Sequence, residues 1–166
     1  NPTDVAKVVF YMPELYSLKI DGSGDIYVYD YYETEYNFDV KINGSGDITI
    51  DELICGKFTA EINGSGDVEA NVVASKAETI VRGSGDINYN GSATNHEIRI
   101  SGSGDIEAFD LHTDTTKINI SGSGNCYVWA ENILDIFISG SGNVTYKRTP
   151  QLYVDLPGSG NVNAWK

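Results

Sequence analysis

Gly22-Ser23-Gly24-Asp25-Ile26 decides the fold of this chain, because the same unit returns seven more times, its first glycine at Gly44, Gly64, Gly83, Gly102, Gly122, Gly140 and Gly158. The first five copies end in Asp (Asp25, Asp47, Asp67, Asp86, Asp105) and the last three in Asn (Asn125, Asn143, Asn161), with Ile, Val or Cys always following. Successive copies stand 22, 20, 19, 19, 20, 18 and 18 residues apart. A period of about twenty with small jitter marks a solenoid, in which one repeat is one coil that buries its apolar face only against its neighbours.

The residues on either side of the unit alternate. Two positions before the first glycine stand Ile20, Ile42, Ile62, Val81, Ile100, Ile120, Ile138 and Leu156, and four before it Leu18, Val40, Ala60, Thr79, Ile98, Ile118, Ile136 and Val154. After the unit the pattern resumes at Ile26, Ile48, Val68, Ile87, Ile106, Cys126, Val144 and Val162, and two residues on at Val28, Ile50, Ala70, Tyr89, Ala108, Val128, Tyr146 and Ala164. Period two with one buried face means strands. Strands that repeat once per coil stack in parallel and in register. The reading is therefore all-β, a right-handed parallel β-helix of about eight coils and ~38 Å in length. Residues 1–166 form one domain, with 18–166 as the repeats. Residues 1–17 break the pattern with Pro2, Pro13 and the run Val8-Val9-Phe10-Tyr11, and are expected to cap the first coil. Stretches such as Asp51 to Lys57, Asn71 to Lys76 and Asn90 to Asn95 vary in length and are expected to hold the third side of the coil and its loops, with any binding site.

Eleven basic against twenty-four acidic residues give a net charge of −13. Such a surface repels phosphate backbones and anionic headgroups, so neither nucleic acid nor direct membrane insertion is expected. No apolar run approaches the ~20 residues of a membrane span. The chain starts at Asn1 and its single Met is Met12, which reads as a processed form. Cys55 and Cys126 lie four coils apart, about 19 Å along the axis, too far for a disulfide, and both are expected as free thiols.

Two glycines around a serine suit a tight corner with positive φ, and the Asp or Asn that follows suits an Asx-type turn. The five aspartates are also the weak candidates for a metal, by analogy with calcium-binding β-rolls. Those supply Asp from turns every nine residues; here one carboxylate per coil offers too few oxygens, and no metal or other cofactor is expected. Carboxylates ~4.8 Å apart repel by roughly 1 kcal/mol in water and 3–4 kcal/mol at an effective dielectric of 20. The row must be exposed with its charge spread over N–H donors, or screened by cations; the Asn positions permit an amide ladder.

Repeated (I/V)-x-GSG(D/N)-(I/V) units at this period over residues 18–166 resemble the head domain of putative autotransporter adhesins, the GIN-type domain common in Bacteroidetes. The resemblance implies a right-handed parallel β-helix on a secreted or lipid-anchored cell-envelope protein with an adhesin role. It brings no catalytic residues.

The function expected is therefore a non-enzymatic binding module for a glycan or another surface protein. Its candidate ligand residues are aromatic. Phe109, Trp129 and Trp165 each fall seven residues after the first glycine of their unit, which predicts a stripe with Phe109 and Trp129 about 5 Å apart. Tyr27 and Tyr29 open a tyrosine-rich acidic stretch. The alternatives are a β-helical polysaccharide lyase or hydrolase and a structural spacer. For the enzyme, only Arg82, Arg99 and Arg148 are placed to polarise a uronate, and His96 and His112 read as solvated loop residues. The last coil is short and its edge uncapped, which leaves either a homo-oligomer through that coil or the boundary of the segment.

Overall fold

The computed structural model describes residues 7–166. It contains no helix, and 62% of it is strand. The chain forms β1 (Ser17–Ile20), β2 (Ile26–Glu33), β3 (Phe38–Ile42), β4 (Ile48–Ile62), β5 (Val68–Val81), β6 (Ile87–Ile100), β7 (Ile106–Ile120), β8 (Cys126–Ile138), β9 (Val144–Lys147), β10 (Gln151–Asp155) and β11 (Val162–Ala164). Every pairing is parallel: β1 pairs β3, β2 and β3 pair β4, β4 to β8 follow in order, β9 and β10 pair β8, and β11 pairs β9. This is a parallel β-solenoid of about eight turns. Coils are numbered here by the Gly-Ser-Gly unit that each follows.

The alternating rows point inward as expected through the middle of the molecule. Ile42, Ile62, Val81, Ile100, Ile120 and Ile138 are buried, as are Ile48, Val68, Ile87, Ile106, Cys126 and Val144 on the other side of the turn. Ile20↔Ile42 and Ile42↔Ile62 are register partners, so like side chains stack on like along the axis. The rows give out over the last two coils, where Val154 and Leu156 are 43% and 40% exposed and Ala164 is exposed, because nothing among the described residues stacks beyond them. Cys55 and Cys126 are buried free thiols; burial pushes both up, Cys55 to about 11. They behave as small core hydrophobes.

The expected loops are strand. Residues 51–57, 71–76 and 90–95 lie inside β4, β5 and β6, so the chain runs without a break from one turn to the next. Differences in coil length are absorbed as bulges, at Val28/Tyr31, Ile50/Leu53, Asn88/Asn90, Ala108/His112 and Thr113/Thr115.

The glycines serve close approach, and the expectation of positive φ is overturned. Of the sixteen repeat glycines only Gly22 has a positive φ. A Cβ on Gly64 would sit 1.9 Å from the carbonyl oxygen of Gly44, and one on Gly66 2.1 Å from that of Gly46. The turns of successive coils lie backbone on backbone, bonded as Ser65 N–H to Gly44 O at 2.8 Å. The Asx turn is likewise replaced by a contact between coils. The Asp25 carboxylate accepts from the Asp47 N–H at 3.0 Å, and Asp47, Asp67, Asp86 and Asp105 accept from the next coil's N–H at 2.6–2.8 Å. From Asn125 on, side-chain amides also bond one another at 2.9–3.0 Å. Each carboxylate thus has an N–H donor that neutralises part of its charge. Beside this ladder Glu61 holds Lys41 at 3.0 Å and Arg82 at 2.5 Å, and Glu78 holds Lys57 at 2.6 Å and Arg99 at 2.9 Å.

Leu15 packs on the core, while Val8 to Met12 are exposed. Pro2, part of the expected cap, lies outside the described residues.

Candidate functional site

The bulges decide which side chains meet. Ala108 pairs with Val128, yet the next pair is His112↔Trp129, so Phe109, Asp110 and Leu111 stand against no residue of coil 6. Phe109 is thereby displaced from Trp129, and the ring that stacks on Trp129 is His112, with centroids 4.1 Å apart and planes at 27°. His112 is in β7 and exposed, not in a loop. From the other side Arg148 lies over Trp129, its guanidinium carbon 4.1 Å from the ring centre. Both faces of Trp129 are covered, so the expected platform of Phe109 and Trp129 for a sugar ring does not form.

Glu131 clamps the stack. Its Oε2 accepts from Trp129 Nε1 at 3.1 Å and from Arg148 Nε at 3.2 Å. Arg148 has φ 79, a left-handed backbone that non-glycine residues rarely adopt, and this bend accompanies its position over the indole. Thr113 Oγ1 donates to the Trp129 carbonyl at 2.5 Å and ties the stack to the coil below.

The outward row here runs Val73↔Ser92↔His112↔Trp129 in register across coils 3 to 6. It steps from the large stacked rings down to the short Ser92, which cannot cover the outer face of the imidazole. The step opens a groove of about 640 Å³, floored by Ala74 and Ala93 and flanked by Thr94, Asp114, Glu131 and Arg148. A planar ring face, two carboxylates, a guanidinium and hydroxyls converge there, a set able to pack on one face of a polar ring and bond its hydroxyls.

The other candidate residues lie elsewhere. Phe109 meets Tyr127 and Trp165 edge-on, at 5.5 and 5.2 Å, and carries Lys147 Nζ 4.6 Å above its ring. Trp165 is 59% exposed. Tyr27 and Tyr29 stack on each other at 6.0 Å on coil 1, both exposed. The aspartate row carries no metal cluster: among the described residues no group of three or more His, Cys, Asp or Glu could hold an ion.

His96 corrects the reading most sharply. It is 2% exposed inside β6, its Nε2 is 2.9 Å from Thr79 Oγ1, and its Nδ1 has no partner. Burial holds its pKa down to about 3, so it is neutral and remote from any solvent-borne substrate. Of the arginines offered to a uronate, Arg82 and Arg99 are committed to Glu61 and to Glu78 with Glu97, leaving Arg148 beside the groove. Sequence reasoning missed Glu131 and the role of Arg148. The available signal was the difference between a 20-residue coil 5 and an 18-residue coil 6, which requires the offsets counted from the glycines to part company somewhere within the coil.

A family model described as putative auto-transporter adhesin, head GIN domain, matches residues 1–85 and 39–150. Among solved structures, a protein of Parabacteroides distasonis named as a putative lipid binding protein is similar over 92% of this chain and 63% of its own, at 30% identity and a TM-score of 0.88. Another, from Bacteroides fragilis and named as a putative adhesin, is similar over 76% of this chain and 60% of its own, at 25% identity and a TM-score of 0.74. The chain thus spans under two thirds of the length of both. No curated protein matches it.

Proposed function

We propose that this chain, which belongs to the family of putative auto-transporter adhesin head GIN domains, is a non-enzymatic binding module of the cell envelope whose ligand is a glycan seated in the groove over coils 3–6. The observation that carries this reading is the open imidazole face of His112, backed by Trp129 and Arg148 and bordered by Asp114 and Glu131. Stacking fixes a sugar ring by one face, and carboxylate and guanidinium groups are the bidentate partners that vicinal hydroxyls need. A rigid backing lowers the entropy lost on binding.

The name of the Parabacteroides relative raises a lipid instead. A buried acyl chain needs an apolar tunnel, and the axis of this solenoid is filled by packed side chains from Leu18 to Val144. That favours a ligand on the surface. No helix among the described residues is long and apolar enough to cross a membrane.

A glycan array probed with the wild-type chain and with His112→Ala tests the reading. The variant is expected to bind the selected glycan about tenfold more weakly, as loss of one ring contact of ~1.4 kcal/mol implies. Unchanged affinity in His112→Ala would refute the groove. Turnover of that glycan, abolished by Asp114→Asn or Glu131→Gln while binding persists, would replace the module by an enzyme.

A further inference from the structure

A second cavity lies on coil 1, away from the groove. The strand there is bulged between Val28 and Tyr31, with Asp30 at φ 66, and the chain leaves the regular coil before β3. The segment before β1 folds over this irregular side and is pinned to it. The Leu15 N–H donates to Tyr32 Oη at 2.6 Å, and the Asp39 N–H to the Tyr16 carbonyl at 3.1 Å. Between segment and coil lies a space of about 220 Å³, walled by Tyr16, Tyr32 and Tyr36 and rimmed by Glu14, Glu33 and Glu35.

The walls have the geometry of a corner. Tyr16 and Tyr36 are 5.5 Å apart with planes at 73°. The Tyr16 hydroxyl donates to Glu14, which holds its pKa up at about 12 and keeps the phenol neutral with its oxygen electron-rich. The Tyr32 hydroxyl is taken up by the Leu15 N–H. The Tyr16 hydroxyl hydrogen and a Tyr32 lone pair are thus engaged by the protein, and the rings turn their faces to the space. No Lys or Arg lines the space among the described residues.

We propose that this pocket binds a quaternary ammonium group, a trimethylammonium of the choline type. Aromatic faces carry negative charge density that attracts cations, and such rings with carboxylates at the rim are the recognised way to hold an alkylated ammonium. A primary ammonium or an alkali ion is strongly hydrated and would be held at the rim carboxylates rather than against the rings, whereas an alkylated ammonium has no N–H to satisfy and is held by the ring faces. The space of about 220 Å³ is large enough for a tetraalkylated nitrogen. The chain's net charge of −13 draws any cation toward it. The group could arrive as a free small molecule or as a phosphocholine head group displayed on a lipid surface, and both present the same methylated cation.

The test titrates the 166-residue chain with tetramethylammonium chloride, against sodium chloride at equal ionic strength, following tyrosine fluorescence or NMR shifts. Saturable binding with a Kd of ~1–10 mM is expected for so small a ligand. Tyr36→Ala and Tyr16→Ala should each weaken it about threefold to tenfold, Tyr36→Phe should preserve it, and Tyr27→Ala on the neighbouring exposed pair should leave it unchanged. Co-sedimentation with phosphatidylcholine but not phosphatidylglycerol vesicles assigns the source to a lipid head group, whereas tetramethylammonium binding without co-sedimentation assigns it to a free ligand. Absence of saturation up to ~100 mM, or equal affinity for methylammonium, would overturn the proposal.

Discussion

Replacing Gly66 with alanine should cost far more stability than the same change at Gly24, although both occupy the second glycine of a Gly-Ser-Gly unit. A Cβ on Gly66 would lie 2.1 Å from the Gly46 carbonyl oxygen, whereas one on Gly24 meets nothing within 4 Å. To reach the 3.4 Å of ordinary contact the two coils must part by more than an ångström at the turn. That movement stretches the Ser65 N–H to Gly44 O bond and the Asp67 N–H to Asp47 carboxylate bond, both 2.8 Å, beyond useful length. Two hydrogen bonds at about 1 kcal/mol each, with the packing lost beside them, give ~3 kcal/mol. In a domain of this size that lowers the melting temperature by roughly 6–12 °C. Gly24→Ala should stay within about 0.5 kcal/mol of wild type. Thermal and urea unfolding of the two variants, followed by circular dichroism, checks the pair. Equal destabilisation at both positions would refute close approach as the reason for the glycines and return the argument to backbone conformation.

Ile62→Asp or Ile100→Asp places an unpartnered charge in the shared core and should cost more than ~4 kcal/mol, which denaturation midpoints will register. Asp67→Ala removes the acceptor for the Asp86 N–H at 2.7 Å and should cost about 1 kcal/mol, whereas Asp67→Asn keeps an acceptor and relieves repulsion, so its urea midpoint at low salt should equal or exceed wild type. His96 is held near a pKa of about 3 by burial, below its unfolded value, so the unfolded chain takes up the proton first. Stability should therefore be full above about pH 6.5 and fall as pH drops, by about 1.4 kcal/mol per unit. The carboxylates of Glu61, Glu78 and Glu97, lowered chiefly by hydrogen bonds, add a loss of the same sign at lower pH. His96→Leu should remove the slope between pH 6.5 and 5 and leave the carboxylate one, as urea midpoints across pH will show.

The inward rows and the positions of the turns were legible because they recur in each coil: Ile42, Ile62 and Ile100 stand at one offset and are buried together. What misled was geometry that no single repeat displays. Glycine between two turns looks like a conformational need, yet the constraint on Gly64 comes from Gly44, twenty residues earlier. His96 looked like a loop residue because polar neighbours surround it in sequence, although it pairs with Ala77 and Thr116 in the inward row. The aromatic stripe failed for a related reason. Equal offsets from the turn give equal positions only where coils hold equal numbers of residues, and the bulge at Phe109 to Leu111 breaks that equality between coils 5 and 6.

That break points to a division of labour between the two sides of the coil. From Ile118↔Ile136 through the turn to Val128↔Tyr146 the register is unbroken, and the Asp/Asn ladder and the Gly-on-Gly contacts sit in this constant half. The register shifts fall in the other half, at or after the second inward residue past a turn and before the strand that leads into the next. Among the described residues the two non-glycine residues with left-handed backbone, Asp30 and Arg148, also lie there, one beside the tyrosine cavity and one over Trp129. A residue inserted in the constant half would turn every following inward side chain outward, because the side-chain period is two. An insertion in the bulged half is absorbed locally and re-aims a single side chain. The groove and the tyrosine cavity proposed as binding sites both lie in the half that does not repeat, where such changes leave the turns and their ladder in place.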